Sequence, residues 1–209
     1  LPADLFGGTF CVIFSVGENG RNELEVLREK FTDYMKINFS VDIIILQSVG
    51  FSELLEAHDN YQSLERLLDY LYFMPHVYFL NQEEIKDKIS NQTETMDIDF
   101  DAFSEALISR DIGKIETILK SFITEAAGLN VSVEYLHGAI LKFVFLYNHF
   151  MRDIMKGSKN MDDTQIFKDV NELYNSEDFY FWFVKLIKTT FDELSSMEEN
   201  PKRAVVQLI

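Results

Sequence analysis

Apolar residues in the first part of the chain recur with two different periods, which predicts alternating strands and helices. Residues 9–16, 39–49 and 76–80 are short apolar runs rich in β-branched and aromatic side chains, the pattern of buried strands. Between them, residues 22–35 and 52–73 carry apolar side chains at three- and four-residue spacing, the pattern of amphipathic helices. The order β-α-β-α-β predicts an α+β sandwich, a sheet covered by helices on one face.

The later part of the chain has the helical period throughout, which predicts an all-α helical bundle. Residues 100–109 and 112–127 are predicted to form a helix pair. Residues 132–156 are apolar on most sides, so we expect this long helix to be central in the bundle. Residues 166–174 follow a start that resembles a capping box. A last long helix is predicted to begin at Ser176, where acidic residues suit the positive helix end.

A polar, mostly aperiodic stretch between these two parts predicts the domain limits. Residues 83–98 are interpreted as a linker. The α+β domain is therefore expected over 1–82 and the helical domain over 99–198. Residues 199–209 contain an asparagine followed by a proline, which is typical of a helix start. Because so short a helix is not stable alone, we expect it to lead into a further domain.

The charge balance limits which partners this segment can have. The 209 residues include 35 acidic and 19 basic side chains, a formal net charge of −16. Such a surface repels phosphate backbones and anionic lipid headgroups, so we expect neither nucleic-acid nor membrane contact by this segment. No uninterrupted apolar stretch approaches about 18 residues, the length that spans a bilayer. The single cysteine, Cys11, excludes an internal disulfide framework, which favours a reducing, cytoplasmic compartment.

The sequence assembles no recognisable active site, so we expect neither enzymatic activity nor a bound metal or cofactor. Nucleotide-binding and nucleophile-elbow motifs are absent. The histidines have neither metal-ligand spacing nor a neighbouring carboxylate pair. The four of them are His58, His76, His137 and His149. Acidic residues Asp97, Asp99 and Asp101 are interpreted as cap and linker residues, because an EF-hand would also need a glycine and a terminal glutamate.

An aromatic run at 179–183 has two interpretations. At helical spacing it is most simply a core stripe, because ring burial dominates helix packing. Aromatic side chains are also enriched at interfaces between subunits. Phe179, Trp182 and Phe183 are therefore retained as candidate dimer-interface residues.

Residues 5–81 resemble the second half of a diguanylate cyclase (GGDEF) domain. The resemblance begins at residues 5–10 (LFGGTF), which an apolar strand, a helix, a strand and a helix follow. In that family the glycine pair lies in a hairpin turn beside the nucleotide, and adjacent acidic residues hold the metal ions. Gly7 and Gly8 match the pair, whereas Thr9 and Phe10 replace the acidic residues.

The resemblance therefore implies a degenerate, partial GGDEF domain with a ferredoxin-like α/β sandwich. Without the carboxylates, two Mg²⁺ ions cannot be held against triphosphate charge, so cyclase activity is not implied. Gly7 and Gly8 form a weak candidate ligand turn, because glycine leaves the backbone open to a phosphate. A catalytically dead module that binds a nucleotide or another small molecule is thus an alternative function.

Five short segments occur in an order that resembles the central region of YesN-type regulators of the AraC family. They are residues 49–52, 64–70, 103–111, 115–119 and 201–209, the last being similar to the helix that leads into a paired helix-turn-helix domain. No single segment is diagnostic, and the resemblance depends on the ordered set.

The resemblance to these regulators implies a role in transcription regulation. Such proteins carry a receiver domain of a two-component system, or a membrane-anchored sensor, ahead of this region, and they bind DNA behind it. The chain itself contains no helix-turn-helix of that type, so DNA binding is implied only for a larger protein. We therefore expect a signal-relay region that forms a homodimer.

Overall fold

Helices make up most of the computed structural model, and short strands make the fold broadly α+β. The structure describes residues 2–5, 9–15, 20–90, 95–128, 131–154, 166, 168–170, 173 and 175–199. Contacts divide the chain into two units, Leu1–Ile45 and Leu46–Ile209. The predicted domain limits at 82 and 99 stay a prediction. Within the described residues, no helix combines the length and hydrophobicity that crossing a bilayer requires.

The first unit contains a hairpin and one long helix. Strands β1 (Pro2–Leu5) and β2 (Thr9–Val12) pair antiparallel. Helix α1 (Gly20–Phe39) extends beyond its predicted ends at both sides and stops at Ser40, whose φ of 55° is left-handed. The predicted strand 9–16 is shorter in the structure, because residues 13–15 are not extended into the sheet.

Burial of the apolar residues in this unit was predicted, and that prediction is wrong. Val12, Ile13 and Phe14 are exposed rather than enclosed in a sheet. The apolar face of α1 is also largely exposed, at Leu27, Phe31 and Tyr34 among others. A two-stranded hairpin with one helix offers too little surface to enclose these side chains.

The second unit begins with a small sheet and two helices. Its elements are β3 (Ile45–Gln47), a 3₁₀ turn (Leu54–Glu56), α2 (Ala57–Leu71), β4 (Phe79–Asn81) and α3 (Gln82–Ser90). Strands β3 and β4 form a two-stranded parallel sheet. Helix α3 lies where an aperiodic linker was predicted. Buried Ile85 anchors it, and acidic side chains in its first turn suit the positive helix end.

Four long helices of the second unit follow among the residues that the structure describes. They are α4 (Phe100–Ser109), α5 (Ile112–Ala126), α6 (Val133–Ile154) and α7 (Ser176–Glu199). Helix α4 packs against α5 and α6, while α5 packs against α7. The predicted helix 166–174 is described only in part, at helical residues 166 and 168–170. The predicted exit helix within 199–209 lies outside the described residues after Glu199.

Aspartate caps explain where α4 and α5 begin. Asp99 Oδ1 accepts a hydrogen bond from Ala102 N (2.7 Å), and Asp111 Oδ1 accepts one from Lys114 N (3.0 Å). Between the helices Arg110 adopts the left-handed conformation (φ 56°), which ends α4 and reverses the chain. The interpretation of Asp99 as a cap is thereby confirmed.

Aromatic rings fill the core of the bundle around Phe143 of α6. Its ring centroid lies 4.9 Å from Phe103, 5.0 Å from Phe100 and 5.4 Å from Phe122. Phe183 of α7 stacks on Phe103 at 6.2 Å and joins the same cluster. Truncating such a buried ring typically costs about 3–5 kcal/mol, so this cluster fixes how the helices pack.

Candidate functional site

The end of α2 and the start of α7 meet in a buried backbone junction. Ser176 N, at the first residue of α7, donates a hydrogen bond of 2.7 Å to Tyr72 O, one residue beyond α2. Ser176 is fully buried, and its Oγ has no hydrogen-bond partner. A buried backbone bond of this kind costs free energy to break, because water cannot replace it without opening the junction.

Aromatic rings surround this junction. The imidazole of His137, on α6, makes an edge contact with the Tyr72 ring (centroids 5.7 Å apart) and a tilted contact with the Phe73 ring (5.4 Å). Phe73 is fully buried and also contacts Phe122 of α5 at 6.5 Å. The end of α2 is therefore packed against α5 and α6 as well as bonded to α7.

Polar side chains at the start of α7 complete the junction. Asn175 Oδ1 accepts a hydrogen bond from Asp178 N (2.9 Å), so Asn175 is the cap and Ser176 the first helical residue. His76 Nε2 lies 3.1 Å from Glu177 Oε1 on the surface. The His76 pair is exposed, so it orients the loop but contributes little stability.

Burial perturbs the phenol of Tyr72. Desolvation, with a smaller contribution from the Asp178 carboxylate, raises the pKa of Tyr72 to about 12. The phenol therefore stays neutral at physiological pH. Its ring packs against those of Phe73 and His137.

The opposite end of α7 is held by an ion pair to the turn between α4 and α5. Arg110 Nη2 and Nη1 lie 2.6 Å and 3.0 Å from the two carboxylate oxygens of Glu198, a bidentate geometry. Midway along α7, Lys188 Nζ lies 2.7 Å from Glu116 Oε1 on α5. The hydrogen bond from each partner holds the pKa of Glu198 and of Glu116 below the usual range. Helix α7 is thus attached near both ends and in between.

The candidate interface residues have unequal exposure. Phe179 and Phe183 are fully buried, and their rings stack 5.2 Å apart, as a core stripe would. Only Trp182 of the three is partly exposed. A contribution of this stripe to a dimer interface stays a prediction. The candidate ligand turn at Gly7 and Gly8 lies outside the described residues.

An open, acidic cavity of about 370 Å³ precedes α4. It is lined by Asp97, Ile98, Asp99, Phe100, Asp101 and Lys142. The Lys142 ammonium lies 3.9 Å from the centre of the Phe100 ring and supplies the local positive charge. Asp99 is already engaged as the cap of α4. Across the described residues, no group of three or more histidine, cysteine or acidic side chains has a geometry that would hold a metal ion.

Sequence reasoning missed the junction around Tyr72, His76 and Ser176. Each residue was placed in or near the correct element, but nothing local marks which distant residue it meets. The end of the predicted helix 52–73 and the start of the last helix at Ser176 could both be read from the sequence, whereas their proximity depends on how the bundle packs.

Comparisons with known proteins give no family for this chain. No protein-family model matches it, and no curated protein or solved structure shows significant similarity to it.

Proposed function

We propose that the chain is a non-catalytic relay and dimerisation region of a bacterial transcription regulator, similar to the central region of YesN-type AraC-family proteins. The observation that carries the proposal is the attachment of α7 at both ends. The start of α7 is bonded to the end of α2 through Ser176 and Tyr72, and its last turn is paired with Arg110.

The dimensions of α7 suit the transmission of a movement. At a rise of 1.5 Å per residue its 24 residues span about 36 Å. A shift of α2 against the bundle would pull on the start of α7, and a rigid helix would pass the displacement to Glu198. Small shifts of packed helices are a common form of switching. Residues 201–209, which resemble the helix leading into a DNA-binding domain, follow directly.

The charge of the chain agrees with a relay that leaves DNA contact to another domain. A net charge of −16 would repel a phosphate backbone. The GGDEF-like origin of the first 82 residues belongs to this proposal as well, since a domain that has lost its acidic metal ligands can transmit a conformational change without turning over nucleotide.

Amide hydrogen exchange at both ends of α7 tests the relay. Arg110→Gln removes the ion pair to Glu198, and we expect exchange at the Ser176 amide, at the other end of α7, to accelerate several-fold. The matched control is Glu105→Gln. It removes the Lys114–Glu105 pair at the same turn (3.5 Å) without touching α7.

A reference amide, that of Leu119, distinguishes the relay from a general loss of stability. Leu119 is fully buried in α5, and its exchange reports opening of the whole core. If the relay operates, Arg110→Gln accelerates amide exchange at Ser176 but not at Leu119. Glu105→Gln accelerates exchange at neither amide. Unchanged exchange at Ser176, or an equal change at Leu119, would contradict the relay.

Light scattering tests the dimer, and a strict monomer at high concentration would reject it.

A second candidate function is nucleotide binding without turnover. Its support is the β1–β2 hairpin, whose register pairs Leu5 with Thr9 and so flanks Gly7 and Gly8. Isothermal titration calorimetry with guanine nucleotides and their cyclic dimers discriminates between the two functions. Absence of both binding heat and thermal shift would exclude this candidate.

A further inference from the structure

Helix α6 presents a line of four side chains on the side opposite its core face. Glu134, Leu141, Phe145 and Arg152 follow at spacings of seven, four and seven residues, which places them on one line of a helix with 3.6 residues per turn. All four are exposed, Leu141 to 46% and Phe145 to 59%. Phe143, fully buried, points to the opposite side. We name these four residues the α6 stripe.

The α6 stripe is symmetric about Phe143. Leu141 and Phe145 lie equally far before and after it, and so do Glu134 and Arg152. A two-fold interface requires that if one residue contacts a second, the second contacts the first in the other copy. An antiparallel α6 pair meets this requirement, because Leu141 then faces Phe145 and Glu134 faces Arg152.

We propose that the α6 stripe is an antiparallel self-association surface, on which a second copy of the chain lays its own α6. The inference rests on the proposed function, whose dimer it locates. Charge selects the orientation, since a parallel pair would place Glu134 against Glu134 and Arg152 against Arg152, and like charges disfavour that arrangement. Arg152 also interacts within its own chain, so the outer pair sets orientation more than affinity.

Space beside the stripe favours close approach of a second helix. Gly138 lies one turn before Leu141, and a Cβ placed on it would meet nothing within 4 Å. A partner helix can therefore approach the backbone closely there. Leu141 and Phe145 form the apolar centre and the charged residues form the rim, as in most interfaces.

The expected association is weak. One helix pair buries less than the roughly 1,200–2,000 Å² of a stable interface. Two copies that each carry −16 also repel one another. We therefore expect dimerisation that depends on concentration rather than an obligate dimer.

Sedimentation velocity of the full 209-residue chain with single substitutions tests the location. Phe145→Glu is expected to raise the dimer dissociation constant at least about tenfold, as loss of a central interface residue does. Two matched controls carry rings of comparable exposure, Phe181 on α7 (67%) and Phe31 on α1 (51%). Phe181→Glu and Phe31→Glu should leave dimerisation unchanged. Because all three rings are exposed, circular dichroism should show the same helix content for each variant.

Charge reversal tests the orientation. Glu134→Arg and Arg152→Glu should each weaken the dimer several-fold, and the double variant should restore it. Rescue is the result that a merely structural role for either residue would not produce. Failure of the double variant to recover would overturn the antiparallel arrangement.

The outcomes separate this inference from the proposed function. A chain that stays monomeric rejects the dimer and with it the α6 stripe as a self-association surface. A dimer that Phe145→Glu does not affect keeps the dimerisation function and rejects this surface. Sensitivity to Phe31→Glu or Phe181→Glu would then move the interface to α1 or α7.

Discussion

A pair of hydroxyl groups lies between α6 and α7 inside the bundle core. Tyr147 Oη lies 2.6 Å from Thr190 Oγ1, and both residues are buried. Thr190→Val keeps the volume but leaves the phenol unpaired, so we expect unfolding to become easier by about 1–3 kcal/mol. Urea denaturation measures the loss.

The double variant Tyr147→Phe/Thr190→Val is the matched control for this pair. Removing both hydroxyls leaves no unpaired polar group, so its free energy of unfolding should be closer to wild type than that of Thr190→Val. If the double variant were the less stable of the two, the hydroxyl pair would not be the source of the effect.

Tyr72 should lose its phenol proton at a higher pH than a free tyrosine side chain does. Its pKa of about 12 in the fold, against 10.0 for the free side chain, means that the fold favours the neutral phenol. This contribution to stability is fully present below pH 10 and is lost as the pH rises toward 12. Burial raises the pKa of Tyr147 as well, so ultraviolet difference titration should show late ionisation whose amplitude falls by one tyrosine in Tyr72→Phe. A titration unchanged by this substitution would contradict the assigned shift.

The structural role of a single residue was predicted well where it depends on neighbours in the sequence, and poorly where it depends on distant residues. The Asp99 cap follows from an aspartate before a periodic segment, and the buried positions of Phe179 and Phe183 follow from helical spacing. The bond from Ser176 to Tyr72 had no such signal, because it depends on tertiary packing. The start of the last helix at Ser176 was predicted correctly, and the residue before it, Asn175, supplies the cap.

The stability of helix α5 depends on a hydrogen bond in its first turn. Asp111 Oδ1 accepts from Lys114 N, which satisfies one of the otherwise unpaired amides of the helix start. Asp111→Ala should lower the free energy of unfolding by about 1 kcal/mol, and Asp111→Asn by less, because asparagine also caps. Chemical denaturation of both variants checks the order. Equal losses would indicate that charge rather than capping matters.

Helices were predicted more accurately than strands, because the periodic pattern of a helix extends over many more residues than that of a short strand. Helix α4 spans the predicted 100–109, and α5 and α6 end within two residues of their predicted limits. The predicted strand 39–49 is reduced to Ile45–Gln47, and its first residue, Phe39, belongs to α1 instead. A short apolar run fits a strand or a loop equally well, whereas a stripe over five turns fits only a helix.

For the whole molecule, net charge opposes compactness. Raising the salt concentration from about 0.01 M to about 1 M shortens the screening length from about 30 Å to about 3 Å. Because self-repulsion of a chain with charge −16 should outweigh the attraction within its exposed ion pairs, we expect Tm to rise. Each kcal/mol recovered corresponds to roughly 2–4 °C. A Tm that falls with salt would show that pairs such as Lys188–Glu116 dominate instead.

The uncovered side chains of α1 affect how the folded state must be assayed. Rings and branched side chains at Phe31, Tyr34 and Ile37 give anilinonaphthalene sulfonate a hydrophobic place to bind without any unfolding. Dye fluorescence is usually taken as a sign of a molten state. We expect this chain to enhance the fluorescence while its near-ultraviolet circular dichroism stays native, so stability screens should rely on tryptophan emission from Trp182 instead.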